Sequence, residues 1–123
     1  MQYILVGTGG FLGANARYLL SLWVTHRWPH SFPLGTMLIN VSGSFVLALF
    51  VEYGLRRLGL SDPYRLLFAV GFLGSYTTFS TLTQETLDLA TQGQLLTATA
   101  YAGGSLLLGL LAAAIGTAVG AAL

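Results

Sequence analysis

The chain has 123 residues, of which 54% are hydrophobic and 7% charged, with a formal net charge of +1, no lysine and no cysteine. A water-soluble domain carries about a quarter of its residues as Asp, Glu, Lys and Arg, so lipid is the solvent that this composition fits, and a basic surface for gripping nucleic acid is excluded. The lack of cysteine removes disulfides, thiolate catalysis and thiolate metal sites together.

A helix needs roughly 20 apolar residues to cross the hydrocarbon core, and four stretches of a single membrane domain, residues 1–123, offer that length. The first runs from about Tyr3 to Val24 and contains Arg17. Ala14-Asn15-Ala16 looks like a signal-peptidase site, but no positive charge precedes the apolar run, so this segment is expected to remain in the mature protein. Gly9 and Gly13, four apart, allow close backbone approach of another helix, in the same chain or in a second subunit. Trp23, His26, Arg27, Trp28, Pro29 and Pro33 follow, aromatic and basic residues that belong at headgroup level. His26 and His30 have metal-ligand spacing, but Pro29 lies between them and no third ligand is near, so they read as wet surface histidines.

The second span runs from about Leu34 to Tyr53 and places Thr36, Asn40 and Ser44 on one helical face. This neutral face can donate to an anion without the desolvation cost of a buried ammonium. Asn40 serves equally as a bond to a neighbouring helix. Arg56, Arg57, Asp62, Pro63, Tyr64 and Arg65 mark the next interface. The arginines on the two faces nearly balance, so termini inside is the simplest orientation and insertion both ways is open to the chain.

The third span, about Leu66 to Ala90, packs two glycines and a run of Ser and Thr into Gly71–Thr81, and a break in the helix is expected at about 74–78. An intact, hydroxyl-rich helix is the alternative. A broken backbone offers carbonyls to a small hard cation such as sodium and N–H groups to an anion. Phe79 and Leu82 lie three apart beside Ser80 and Thr83, and an aromatic ring turned edge-on can favour a small anion; simple packing is the other use of such a ring. Glu85 and Arg17 are the deepest ionisable groups and could pair with each other; alternatively Arg17 snorkels and Glu85 sits in a vestibule. The fourth span, about Leu95 to Ala122, carries no charge, sets Tyr101 and Ser105 one turn apart, and continues in small residues at Gly109, Ala113, Gly116 and Gly120.

Four helices enclose little space for so many polar residues, which argues for a shared interior between two copies. No catalytic triad, carboxylate pair or phosphate-binding motif is present, so an enzyme is not expected.

Three stretches, Gly9–Tyr18, Gly35–Phe45 and Gly71–Thr81, resemble the signature segments of the Fluc/CrcB family of fluoride channels, and length, span count and motif order agree over essentially the whole chain. The resemblance implies an all-α integral membrane protein: an antiparallel, dual-topology homodimer of four-helix subunits, the third helix broken, in the cytoplasmic (inner) membrane. It implies passive fluoride export that relieves fluoride toxicity. Backbone carbonyls of Gly74 and Thr77 would hold a structural sodium ion (Na+) at the dimer centre. The implied fluoride pathway comprises Thr36, Asn40, Phe79, Ser80, Leu82, Glu85, Tyr101 and Ser105, with Arg17 as a structural charge. Leu82 stands where the family commonly has a second phenylalanine, and Gly109 where a hydroxyl often continues the polar track. A proton-coupled small multidrug-type antiporter would need an embedded carboxylate near the first helix, and none precedes Glu52. A purely structural membrane subunit would use Asn40 and the Thr-rich run for packing alone.

Overall fold

The computed structural model describes residues 1–123, and the chain is all-helical. Helix α1 (Gln2–Arg27) ends at Trp28, whose backbone is driven out of the helical region (φ −132°, ψ 74°) because Pro29 follows it. Helix α2 (Leu34–Leu49) starts directly after Pro33 and continues as a π-helical stretch, Phe50–Arg57. A third rod is assembled from α3 (Asp62–Tyr64), a second π-helical stretch (Arg65–Leu73), α4 (Gly74–Tyr76) and, after two non-helical residues, α5 (Phe79–Thr91). Helix α6 (Leu95–Ala122) closes the bundle.

Two glycines make the tight turns possible. Gly93 (φ +81°) follows α5, and there the N–H of Gln94 donates to the Leu89 carbonyl while that of Gly93 donates to the Ala90 carbonyl, the paired bonds of a Schellman stop. Gly59 (φ +64°) turns the chain between the second and third rods, with the Leu60 N–H donating to the Gly54 carbonyl.

Three rods are long and apolar enough to cross a membrane: Leu34–Arg57, Asp62–Thr91 and Leu95–Ala122. At 26 residues α1 is long enough to span a bilayer core of about 30 Å, but Gln2, Asn15 and Arg17 dilute its apolar character. Only 15 of 123 residues are buried, while Phe11, Leu106, Leu107, Leu110 and Leu111 all face outward. An exterior of this kind is at home in hydrocarbon and would aggregate in water.

Close backbone approach holds the rods together where apolar burial against lipid cannot. Helix α1 packs on the Arg65–Leu73 stretch and α4, while α6 packs on α2 and α5. A Cβ on Gly9 would lie 2.8 Å from the Phe72 nitrogen and 3.0 Å from the Gly71 Cα, so the crossing exists only because both residues are glycine. Gly116 and Gly120 do the same for α6, where a Cβ would meet the Ala48 Cβ at 3.2 Å and the Glu52 Cβ at 2.9 Å. Of the two uses open to Gly9 and Gly13, packing within one chain is the one found. Along the third rod the half-buried Phe68, Phe72 and Tyr76 stack at centroid spacings of 5.5 and 6.0 Å, with Phe50 of the second rod against Phe68 at 4.9 Å.

Candidate functional site

The interruption in the third rod sits at Thr77 and Thr78, both extended (φ −81°, ψ 159° and φ −150°, ψ 120°). Its cause is local. The Thr77 hydroxyl donates to the Leu73 carbonyl at 3.0 Å, bonding to the preceding turn from the side chain. The Thr78 hydroxyl caps the next helix, accepting from the Thr81 N–H at 3.2 Å and donating to the Thr81 hydroxyl at 3.0 Å. Each threonine therefore serves a different helix, and the backbone between them belongs to neither. The carbonyls of Gly74 and Thr77 accept no hydrogen bond from within the chain. Hard, uncharged oxygens of this type suit an alkali cation. No three His, Cys, Asp or Glu side chains gather anywhere as a metal site, and the His26 Nδ1 is engaged with the Leu22 carbonyl at 2.7 Å.

Asn40 reaches the break from α2. Its Nδ2 donates to the Thr78 carbonyl at 2.9 Å and its Oδ1 accepts from the Thr78 N–H at 2.8 Å. One side-chain amide thus satisfies both backbone groups of Thr78, at a depth where an unpaired amide is costly, and leaves the Gly74 and Thr77 carbonyls free. This interhelical bond was one of two uses open to Asn40 in the sequence. One of its two N–H groups remains without a partner.

Glu85 of α5 is held by two hydroxyls from two other rods. The Thr36 Oγ1 donates to its Oε1 at 3.0 Å, and the Tyr101 hydroxyl donates to its Oε2 at 2.6 Å. Tyr101 is fully buried, and Phe32 meets its ring edge-on at 5.6 Å and 83°. Arg17 takes part in no ion pair, so the pairing of Arg17 with Glu85 is not found; hydroxyls, not a guanidinium, neutralise the carboxylate's demand for donors.

Two open spaces meet these groups. A cleft of about 520 Å³ between the α1–α2 connection and the end of α5 has Thr36, Glu85 and Asp88 in its wall. A larger groove of about 860 Å³ is bounded by Asn40, Gly74, Thr77, Phe79, Leu82 and Ser105. Asn40 stands one helical turn beyond Thr36 on α2, and Ser105 one turn beyond Tyr101 on α6, so two parallel helices carry polar groups from the cleft to the groove. The Ser105 hydroxyl is buried yet has no hydrogen-bond partner. Phe79 projects from the groove with 78% of its surface exposed. Leu82 packs against the Leu89–Ala98–Tyr101 cluster as well as lining the groove. Ser80 lies outside both spaces, its hydroxyl 3.4 Å from that of Thr78.

Sequence reasoning passed over Ser42 and Tyr76. Their hydroxyls are 2.9 Å apart, and the Ser42 hydroxyl also donates to the Ile39 carbonyl, which leaves Tyr76 as donor to Ser42. The spacing of four through Phe68, Phe72 and Tyr76 was the available signal.

A family model described as "CrcB-like protein, Camphor Resistance (CrcB)" matches residues 4–117. A protein of Acidobacterium capsulatum named "Fluoride-specific ion channel FluC" is 46% identical over 120 residues, covering 98% of this chain and 96% of the relative. Proteins of the same name from Roseiflexus sp. and Thermus thermophilus are 43% and 45% identical, covering 97% and 99% of this chain and 96% and 95% of the relatives.

Proposed function

This chain belongs to the CrcB-like protein family, and from that membership we propose that it is a fluoride-selective channel, passing fluoride passively across the cytoplasmic membrane and so relieving its toxicity. It is a multi-pass membrane protein and not an enzyme. The observation that carries the reading is the line of polar groups from Thr36 and Tyr101 to Asn40 and Ser105. It ends in a buried, unpartnered hydroxyl and a spare N–H beside an exposed phenyl ring. Neutral donors and ring edges can replace part of an anion's hydration while binding it weakly enough to release it, which conduction requires.

Four spans per subunit and an antiparallel homodimer complete the proposal. The support is that the groove is open on its outer side and that Phe79 there faces away from its own chain. A second copy inserted the opposite way would close it and give each subunit's groove a second wall. Gly74 and Thr77 would hold a sodium ion between the subunits through carbonyls that have no donor in the chain. The bound cation would supply a fixed positive charge in an otherwise neutral interior. Arg17, in no ion pair, is a second fixed charge on α1.

Fluoride efflux from vesicles reconstituted with the purified protein tests the reading. Rapid, saturable release that needs no pH gradient is expected. Vesicles that retain fluoride despite folded protein would overturn it, and release only under a proton gradient would transfer the case to an antiporter. Asn40→Ala is expected to lower the flux; unchanged flux would favour a structural subunit.

A further inference from the structure

The break is gripped from α2 at two points, one on each side. On the C-terminal side Asn40 takes both the N–H and the carbonyl of Thr78. On the N-terminal side Tyr76 donates to Ser42, which is itself anchored to the Ile39 carbonyl at 3.1 Å. Between the two grips Gly43 lets the chain lie directly on α2: a Cβ there would sit 3.3 Å from the Tyr76 ring and would overlap the Thr77 methyl group. Backbone polar groups inside a membrane hold a non-helical geometry only when something else fixes them. Here the fixing groups are side chains of one neighbouring helix. The carbonyls of Gly74 and Thr77 bracket the Tyr76 attachment and precede the Thr78 attachment.

We infer that Asn40 and Tyr76 are positioning residues for the cation: by clamping the Thr77–Thr78 break to α2 they set the aim of the Gly74 and Thr77 carbonyls, so sodium affinity is determined where the break is attached to α2. The inference rests on the sodium site proposed above. It gives Asn40 a task that an anion-contacting residue would not have and brings in Tyr76 and Ser42, which lie outside the groove. Tyr76→Phe is the cleaner probe, because it removes one hydroxyl and keeps the ring that stacks on Phe72.

The experiment is sodium-dependent thermal unfolding of the detergent-purified protein, titrated with sodium against N-methylglucamine at constant ionic strength. Wild type, Tyr76→Phe, Asn40→Ala and Ser42→Ala are compared, with fluoride efflux recorded in parallel. One hydrogen bond lost between the break and α2 corresponds to a shift of about 3- to 10-fold; Tyr76→Phe and Ser42→Ala each lose one such bond, Ser42→Ala losing its bond within α2 as well, and both are expected to raise the half-saturating sodium concentration by that factor. Asn40→Ala, which loses two, should raise it by more than about 10-fold. Wild-type protein that sodium does not stabilise would remove the cation site itself. Wild type that is stabilised, with variants of unchanged half-saturating concentration, would overturn the positioning role while leaving the site intact. An Asn40→Ala variant too unstable to titrate leaves the decision to Tyr76→Phe and Ser42→Ala.

Discussion

Replacing Gly9 with alanine puts one methyl group where two backbones touch. Its Cβ would stand 2.8 Å from the Phe72 nitrogen and 3.0 Å from the Gly71 Cα, and it would overlap the Leu67 carbonyl. All three obstacles are backbone, so none can swing aside. Restoring an ordinary separation of about 3.5 Å to the nitrogen alone requires the rods to part by about 0.7 Å. The reciprocal contact opens too, because Gly71 is itself packed on Val6 and Gly9. Overpacking of this kind costs about 1–3 kcal/mol, while alanine's better helix propensity returns about 0.5–1 kcal/mol. Gly7, two residues earlier on the same helix, has open space within 4 Å of its would-be Cβ and supplies the control. Gly7→Ala gains the same propensity term, so Gly9→Ala is expected to be less stable than Gly7→Ala by the overpacking cost alone, about 1–3 kcal/mol. Reversible unfolding in mixed micelles, followed by circular dichroism, measures the difference. Two variants agreeing within about 0.5 kcal/mol would refute the claim that this crossing is limited by backbone contact.

Other outcomes follow from the same geometry. Tyr101→Phe leaves the shape intact but strips the Glu85 Oε2 of its 2.6 Å donor; a loss of about 1–2 kcal/mol in the same titration, given the usual worth of interhelical bonds in membranes, should accompany reduced fluoride efflux. Phe79→Ala removes a ring that is 78% exposed on its own chain and should lower the efflux rate; a full rate would separate that ring from conduction. Gly93→Ala meets no atom within 4 Å but must hold φ near +81°, so a loss of about 1–2 kcal/mol with unaltered sodium dependence is expected.

What the sequence disclosed and what it hid divide along a physical line. Glycine spacing at 9, 13, 116 and 120 marked close-approach sites, because a missing side chain is visible in a sequence and has few other uses in a membrane helix. The cluster of glycine and hydroxyl residues pointed to the part of the third rod where Thr77 and Thr78 are extended, since hydroxyls compete with the helical ladder. Glu85 stood out as a deep carboxylate, but its partners did not: Thr36 is 49 positions away and on another rod, and nothing in a linear pattern prefers it to Arg17. Asn40 was ambiguous for a deeper reason. Its partner is main chain, and which amide groups a break releases is known only once the break is placed. The π-helical stretches Phe50–Arg57 and Arg65–Leu73 have no composition of their own and could not have been anticipated.

The double engagement of Asn40 with Thr78 has a stoichiometric consequence. An amide that spends its oxygen and one hydrogen on the main chain has a single hydrogen left for a guest, and the Ser105 hydroxyl has one more. On the function proposed above, a dehydrating halide at this level would meet two protons from each chain, fewer than the waters it sheds. Its coordination would then stay incomplete, and a partly coordinated anion is one that moves on.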